Sequence, residues 1–321
     1  MLTTGIGSYP RVGDTTELQS LRRAIHRLDR GDIDRDDLNA VADDVTAQVI
    51  REQVQVGLDW VTDGCIRWED MVSHVANKLP NVHRGGLLRH FDTNTYVRQP
   101  VVTGPISWEQ PVTAAEAAFA VAESPKPVKS IVTGPYTVAK FCDNQHYTSF
   151  EDLVMDLARA LNQEVKAIVA AGPTCVQIDE PSILQSPEDW PLFVRAIEAL
   201  MDGVPGTTAI ATYFGDAVPL AERLLTLPFN IVYFDCSYAP GVLDVLRQGT
   251  HGKHIGISAV DARNTKLESL EDVQGNVQMA LDIVPISNLH LTPSSGLEFL
   301  PRQRAYEKLA LLVQGAAVAA K

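Results

Sequence analysis

A chain of 321 residues, 45% hydrophobic and 21% charged, reads as globular and long enough to bury a sizeable core. Its 27 basic against 40 acidic groups give a formal charge of −13, which argues against nucleic acid as a partner. Four scattered cysteines without a Cys-x-x-Cys pair, a start lacking a basic-then-apolar leader, and no run near about 20 apolar residues disfavour a disulfide framework, a secretory signal and a membrane span, so a cytoplasmic protein is expected.

Taken in chain order, short β-rich runs alternate with helical patterns. Strands are predicted at 3–7, 59–63, 130–133, 175–179, 208–213, 231–235, 254–258 and 288–292, eight in all. Between the first two, residues 15–57 hold two helical segments that break near Gly31-Asp32. Residues 82–121 read as an inserted hairpin or lid plus a short helix before the third strand. Later helices are predicted at 150–171, 190–201, 217–225, 270–283 and 303–318, with Ser149 and Ser269 as N-caps. This alternation predicts one domain over 1–321, an α/β (β/α)8 TIM barrel with an N-terminal helical insertion. The alternative, an open doubly wound sheet, wants a glycine-rich phosphate turn after its first strand. Gly5-Ile6-Gly7-Ser8-Tyr9-Pro10 is not that turn, because Pro10 and a missing third glycine spoil it.

In a barrel, functional side chains leave from the C-terminal ends of strands. Those positions read Ser8, Asp63-Gly64-Cys65, Thr133-Gly134-Pro135, Asp179-Glu180-Pro181, Tyr213, Asp235-Cys236, Asp261 and Pro293-Ser294-Ser295-Gly296. One acid at such a place is readily a helix cap. Four at matching places point to a convergent polar site.

The motifs Thr4-Gly5-Ile6-Gly7-Ser8-Tyr9-Pro10, Thr62-Asp63-Gly64 with Arg67 and Asp70-Met71-Val72, Thr133-Gly134-Pro135-Tyr136-Thr137, Gln177-Ile178-Asp179-Glu180-Pro181, Val260-Asp261-Ala262 and Thr292-Pro293-Ser294-Ser295-Gly296-Leu297 carry a resemblance. In order and spacing this set resembles the catalytic barrel of cobalamin-independent methionine synthases, of the short core type, over essentially the whole chain. The resemblance implies methyl transfer to a thiol. It also implies a zinc ion that lowers the pKa of the homocysteine sulfur. The family holds its metal with a His-x-Cys pair, a Glu and a Cys; the matching places here read Thr212-Tyr213-Phe214, Asp235 and Ser295. Only Asp235 is a good ligand type, so a degenerate zinc site without bound metal is expected. A relocated site built from Asp235, Cys236, Cys65 and His290 is opposed by strand alternation, which turns Cys236 away from Asp235.

Other family positions are kept or changed. The resemblance assigns the acceptor's carboxylate to Ile6, Gly7 and Ser8, and its ammonium to Asp179, all retained. A glutamate that also binds the amine is Cys65 here, either a nucleophile or thiol ligand or a buried apolar filler. The folate-binding pair falls on Thr95-Tyr96, the stacking tryptophan on Phe141 and the proton-donating histidine on Arg263. The expected catalytic residues are therefore Asp235, Arg263 and Cys65. The expected substrate-binding residues are Ile6, Gly7, Ser8, Asp179, Glu180, Tyr213 and Ser295. Cys142 and Cys175 are expected to have no catalytic role. The expected reaction is methyl transfer to homocysteine or a related small acceptor, from a methylated corrinoid or corrinoid protein rather than folate. The alternatives are a metal-independent lyase or decarboxylase using the paired acids Asp179 and Asp235, and a binding protein that has lost its chemistry.

Overall fold

A computed structural model describes residues 1–89, 91, 93 and 96–319. The chain packs as two compact units. The first comprises Met1–Arg67, Phe119–Lys129 and Ile255–Lys321; the second comprises Trp68–Ala118 and Ser130–His254.

In the first unit, strand Leu2–Thr3 lies parallel to Leu289–Pro293, which lies parallel to His254–Val260. The predicted strand 59–63 is reduced to isolated bridges, Thr4 to Trp60 and Val61 to Val128. Its beginning is taken by a side chain: the Asp59 carboxylate accepts from the Thr3 amide at 2.8 Å and the Thr3 hydroxyl at 2.9 Å. The expected break between the first two helices is present. Helix Ser20–Asp29 ends before Gly31, whose φ of 74° is left-handed, and helix Arg35–Val56 begins under a capping box of Asp34 and Asp37. Ser269 and Asp272 form a second capping box at helix Leu270–Leu281. Two buried cations are matched: the Lys308 ammonium reaches Glu268 at 2.8 Å, and Arg302 makes a two-pronged contact with Glu52.

In the second unit, strands Cys175–Asp179, Thr207–Thr212 and Ile231–Phe234 run parallel, with Lys129–Thr133 next to Cys175–Asp179. Nearly every residue of these strands is buried, as parallel strands covered on both faces require. Helix Phe150–Ala170 begins at Ser149, whose hydroxyl accepts from the Asp152 amide, as its sequence predicts. The expected inserted hairpin pairs Val82–Arg89 with Tyr96–Val102 in antiparallel register, with an irregularity between Arg84 and Leu87. The short helix expected after it is Ala114–Glu123. Strand and helix thus alternate along the chain in the order of a (β/α)8 barrel. Among the described residues, no helix is long and apolar enough to cross a membrane.

Candidate active site

The exits of the second unit's strands carry acids with different surroundings. Glu180 is fully buried. Its carboxylate accepts from the Tyr136 amide at 3.0 Å, the Thr137 amide at 2.8 Å and the Thr137 hydroxyl at 2.7 Å. Gly134 makes this possible, because a Cβ there would run into the Glu180 carboxyl group. Burial pushes the Glu180 carboxyl up to about 7, against the pull of its three donors. Glu180, expected from the sequence to contact substrate, is bound to the start of helix Pro135–Phe141.

Asp179 is held by side chains. Gln177 Nε2 donates to one oxygen at 2.6 Å and the Tyr213 hydroxyl donates to the other at 2.8 Å. Gln177 shares a strand side with Asp179 because strand side chains alternate with period two. Tyr213 follows Thr207–Thr212, where Asp179 stands opposite Ala211. The next residue, Phe214, has a φ of 62°, an uncommon conformation for a bulky residue. Asp235 follows Ile231–Phe234, is buried, and accepts from the Tyr238 amide at 3.0 Å in a tight turn. Among the expected site residues of this unit, Asp179 and Tyr213 are thus joined directly.

A cavity of 450 Å³ in the same unit is lined by Arg89, Phe91, Lys140, Phe141, Ser182 and Gln185, among others. The Ser182 hydroxyl is buried and finds no hydrogen-bond partner among the described residues. Phe91 and Phe141 meet edge to face, with ring centres 5.3 Å apart. Phe141 is the position matched to the family's stacking tryptophan. Of the expected donor-side pair, Thr95 lies outside the described residues, and Tyr96 is exposed at the start of its strand.

In the first unit, the loop after the first strand is tied down by its backbone. The Gly7 carbonyl accepts from the Thr62 hydroxyl at 2.7 Å, the Tyr9 amide donates to the Gly64 carbonyl at 2.9 Å, and Ile6 is buried. The Ser8 hydroxyl donates to the Glu298 carboxylate, and the Ser8 carbonyl accepts from the Leu297 amide at 2.9 Å. Ser295 is buried and donates to the Gly296 carbonyl at 3.3 Å. Cys65 is buried with a φ of 51°, directly after Gly64 at 69°, and its amide donates to Asp63 at 3.0 Å. Two successive left-handed residues at a strand exit are the kind of backbone that functional sites retain. Arg263 pairs with Asp261 at 3.8 Å, and its amide donates to the same carboxylate at 2.9 Å.

The places matched to the family's zinc ligands do not fit a zinc ion. They offer the hydroxyls of Thr212 and Ser295, a tyrosine hydroxyl donating to Asp179, a phenyl ring, and the single carboxylate of Asp235. Among the described residues, no three His, Cys, Asp or Glu side chains are grouped to hold a metal. Of the residues considered for a relocated site, His290 is buried within strand Leu289–Pro293 and meets Trp60 edge-on, with ring centres 5.3 Å apart. Burial pushes the Cys142 thiol up to about 12. Reading the sequence alone misses Gln177 and Glu298. Period-two alternation was a signal for Gln177; no local signal brings Glu298 to Ser8, 290 residues away.

Residues 1–318 match the family described as cobalamin-independent synthase, catalytic domain. A methionine synthase of Saccharolobus solfataricus is 32% identical over 320 residues, covering 98% of this chain and 94% of that protein. The solved structure of a B12-independent methionine synthase from Shewanella sp. W3-18-1, in complex with selenomethionine, superposes with a TM-score of 0.84 at 21% identity, covering 99% of this chain and 98% of that one. A methyltransferase from Methanosarcina mazei reaches a TM-score of 0.63 at 15% identity, covering 87% and 86%. The last two show the fold, and with it the expected (β/α)8 barrel class. The matches place methyl transfer ahead of the lyase and non-catalytic alternatives and make the chain an enzyme, a methyltransferase. The chain belongs to the cobalamin-independent methionine synthase family.

Proposed function

We propose that the chain transfers a methyl group to homocysteine or a related small amino-acid-like thiol, from a methylated corrinoid or corrinoid protein rather than from folate, and without a resident zinc. The observation that carries this reading is Asp179. It is a buried carboxylate at a strand exit, held by the side chains of Gln177 and Tyr213, in a family whose chemistry is thiol alkylation. A carboxylate fixed in that way is suited to pair with an acceptor's ammonium. The family resemblance assigns the acceptor's carboxylate to Ile6, Gly7 and Ser8, and counts Ser295 and Tyr213 among the substrate-binding residues. Arg263 is assigned as a fixed cation for an anionic group, Asp235 as an acid–base group and Cys65 as a thiol contact. Glu180, next in sequence to Asp179, anchors the start of helix Pro135–Phe141. The four cysteines are all free, which suits a reducing cytoplasm.

Without a metal to acidify it, the acceptor thiol reacts through the thiolate fraction set by an ordinary thiol pKa of about 8.5, roughly 3% at pH 7. The test is methionine formation from L-homocysteine by the purified chain, with methylcobalamin, a methylated corrinoid protein or methyltetrahydrofolate as donor, each with added zinc and with chelator. Transfer from a corrinoid donor is expected, unaffected by chelator, rising with pH toward about 8.5, and reduced about 100-fold in Asp179→Asn. No transfer from any donor by folded protein would sink the reading.

A further inference from the structure

The loop after the first strand and the loop after the last meet at a side-chain contact, Ser8 to Glu298. The Leu297 amide donates to the Ser8 carbonyl at 2.9 Å, which fixes the two backbones beneath that contact. Gly296 lies between them. A Cβ at 296 would run into both the Ser8 hydroxyl oxygen and a Glu298 carboxylate oxygen, so a glycine is what lets the carboxylate close onto the hydroxyl. Burial raises the Glu298 carboxyl above its ordinary value, while the Ser8 hydroxyl and the positive charge of Arg11 pull the other way. A serine hydroxyl has one proton to donate, so it serves one carboxylate at a time. A second anion brought to the same place meets like-charge repulsion.

From this geometry we infer that Glu298 is a specificity-determining residue. Its carboxylate occupies the Ser8 hydroxyl, an acceptor's own carboxylate must displace it to bind there, and the chain discriminates against ligands with an anionic end at Ser8. A ligand with a neutral or proton-donating end faces no such competition, because Glu298 can accept from it. The inference rests on the acceptor site proposed above and deepens it, since it sets which end of the acceptor the protein tolerates.

The test compares three probes by titration calorimetry: propionate as a bare carboxylate, L-methionine, and 3-(methylthio)propylamine, which is methionine without its carboxylate. In the unaltered chain, the amine should bind at least as tightly as methionine. In Glu298→Ala, propionate and methionine should gain about tenfold in affinity while the amine is unchanged, and adding Ser8→Ala should erase the gain. Circular dichroism and thermal melting confirm that each variant is folded, and Glu298→Gln, which keeps the shape and removes the charge, should reproduce the direction of the change. Carboxylate affinity that stays within twofold or falls, or a gain that survives the loss of Ser8, overturns the inference. If propionate gains but methionine binds neither protein, the inference stands and the acceptor reading fails. If methionine binds both proteins equally, the inference fails and the acceptor reading stands.

Discussion

Two glutamates in this molecule lie against glycines for the same steric reason, yet they are held in different ways. In the second unit, Glu180 closes over Gly134 and is gripped by two backbone amides and a hydroxyl within the start of one helix. In the first unit, Glu298 closes over Gly296 and takes the hydroxyl of Ser8, a side chain that can turn to another partner. The difference teaches how to separate framework from exchangeable contact at a site built of carboxylates. Backbone donors cannot leave without unfolding the turn that presents them, whereas a hydroxyl can swap one acceptor for another at little cost.

The comparison breaks most readily at the glycines. Gly134→Ala forces a Cβ into a buried, fully bonded carboxyl group and should destabilise the chain by about 3 kcal/mol in urea denaturation. Gly296→Ala meets the ends of two side chains that can move aside, and should cost less than about 1 kcal/mol. Equal losses at both positions would erase the distinction.

A pH series sharpens the same contrast. The Glu180 carboxyl titrates near 7 when folded, well above its ordinary value of 4.5, so the folded chain binds a proton more tightly than the unfolded one in between. Its contribution is therefore fully present below pH 4.5 and is lost as pH rises through 7. Stability should fall by roughly 3 kcal/mol across that window from this group, and Glu180→Gln should flatten the fall. An unchanged slope in Glu180→Gln would place the titration elsewhere.

A smaller effect is expected at the neighbouring acid. Tyr213→Phe removes a side-chain donor to Asp179 and should cost about 1.5 kcal/mol of stability. Because Asp179 is the proposed partner of the acceptor's ammonium, the same change should alter KM for the acceptor more than the melting temperature suggests. A loss in stability with unaltered KM would make Tyr213 purely structural.

Much of this was legible in the sequence, for identifiable reasons. The run 175–179 coincides with the observed strand because a short, mostly apolar stretch ending in an acid fits a buried parallel strand. Ser149 and Ser269 start helices where capping chemistry says they should. The second strand was overestimated, since nothing local reveals that Asp59 spends its carboxylate on Thr3. At the site, the acids at strand exits could be named, but not their partners. Asp179 and Glu180 look equivalent in sequence, and their donors tell them apart: side chains for Asp179, two backbone amides and a hydroxyl for Glu180. Glu298 belongs to a contact spanning 290 residues, which no periodicity encodes.

The proposed methyl transfer works without the zinc shell that the family resemblance implies. Its most direct test is elemental analysis of protein purified with neither added zinc nor chelator, joined to X-ray absorption at the zinc edge. The account predicts less than about 0.1 zinc per chain and no sulfur- or nitrogen-ligated metal. One zinc per chain in a tetrahedral shell of this protein's side chains would contradict it.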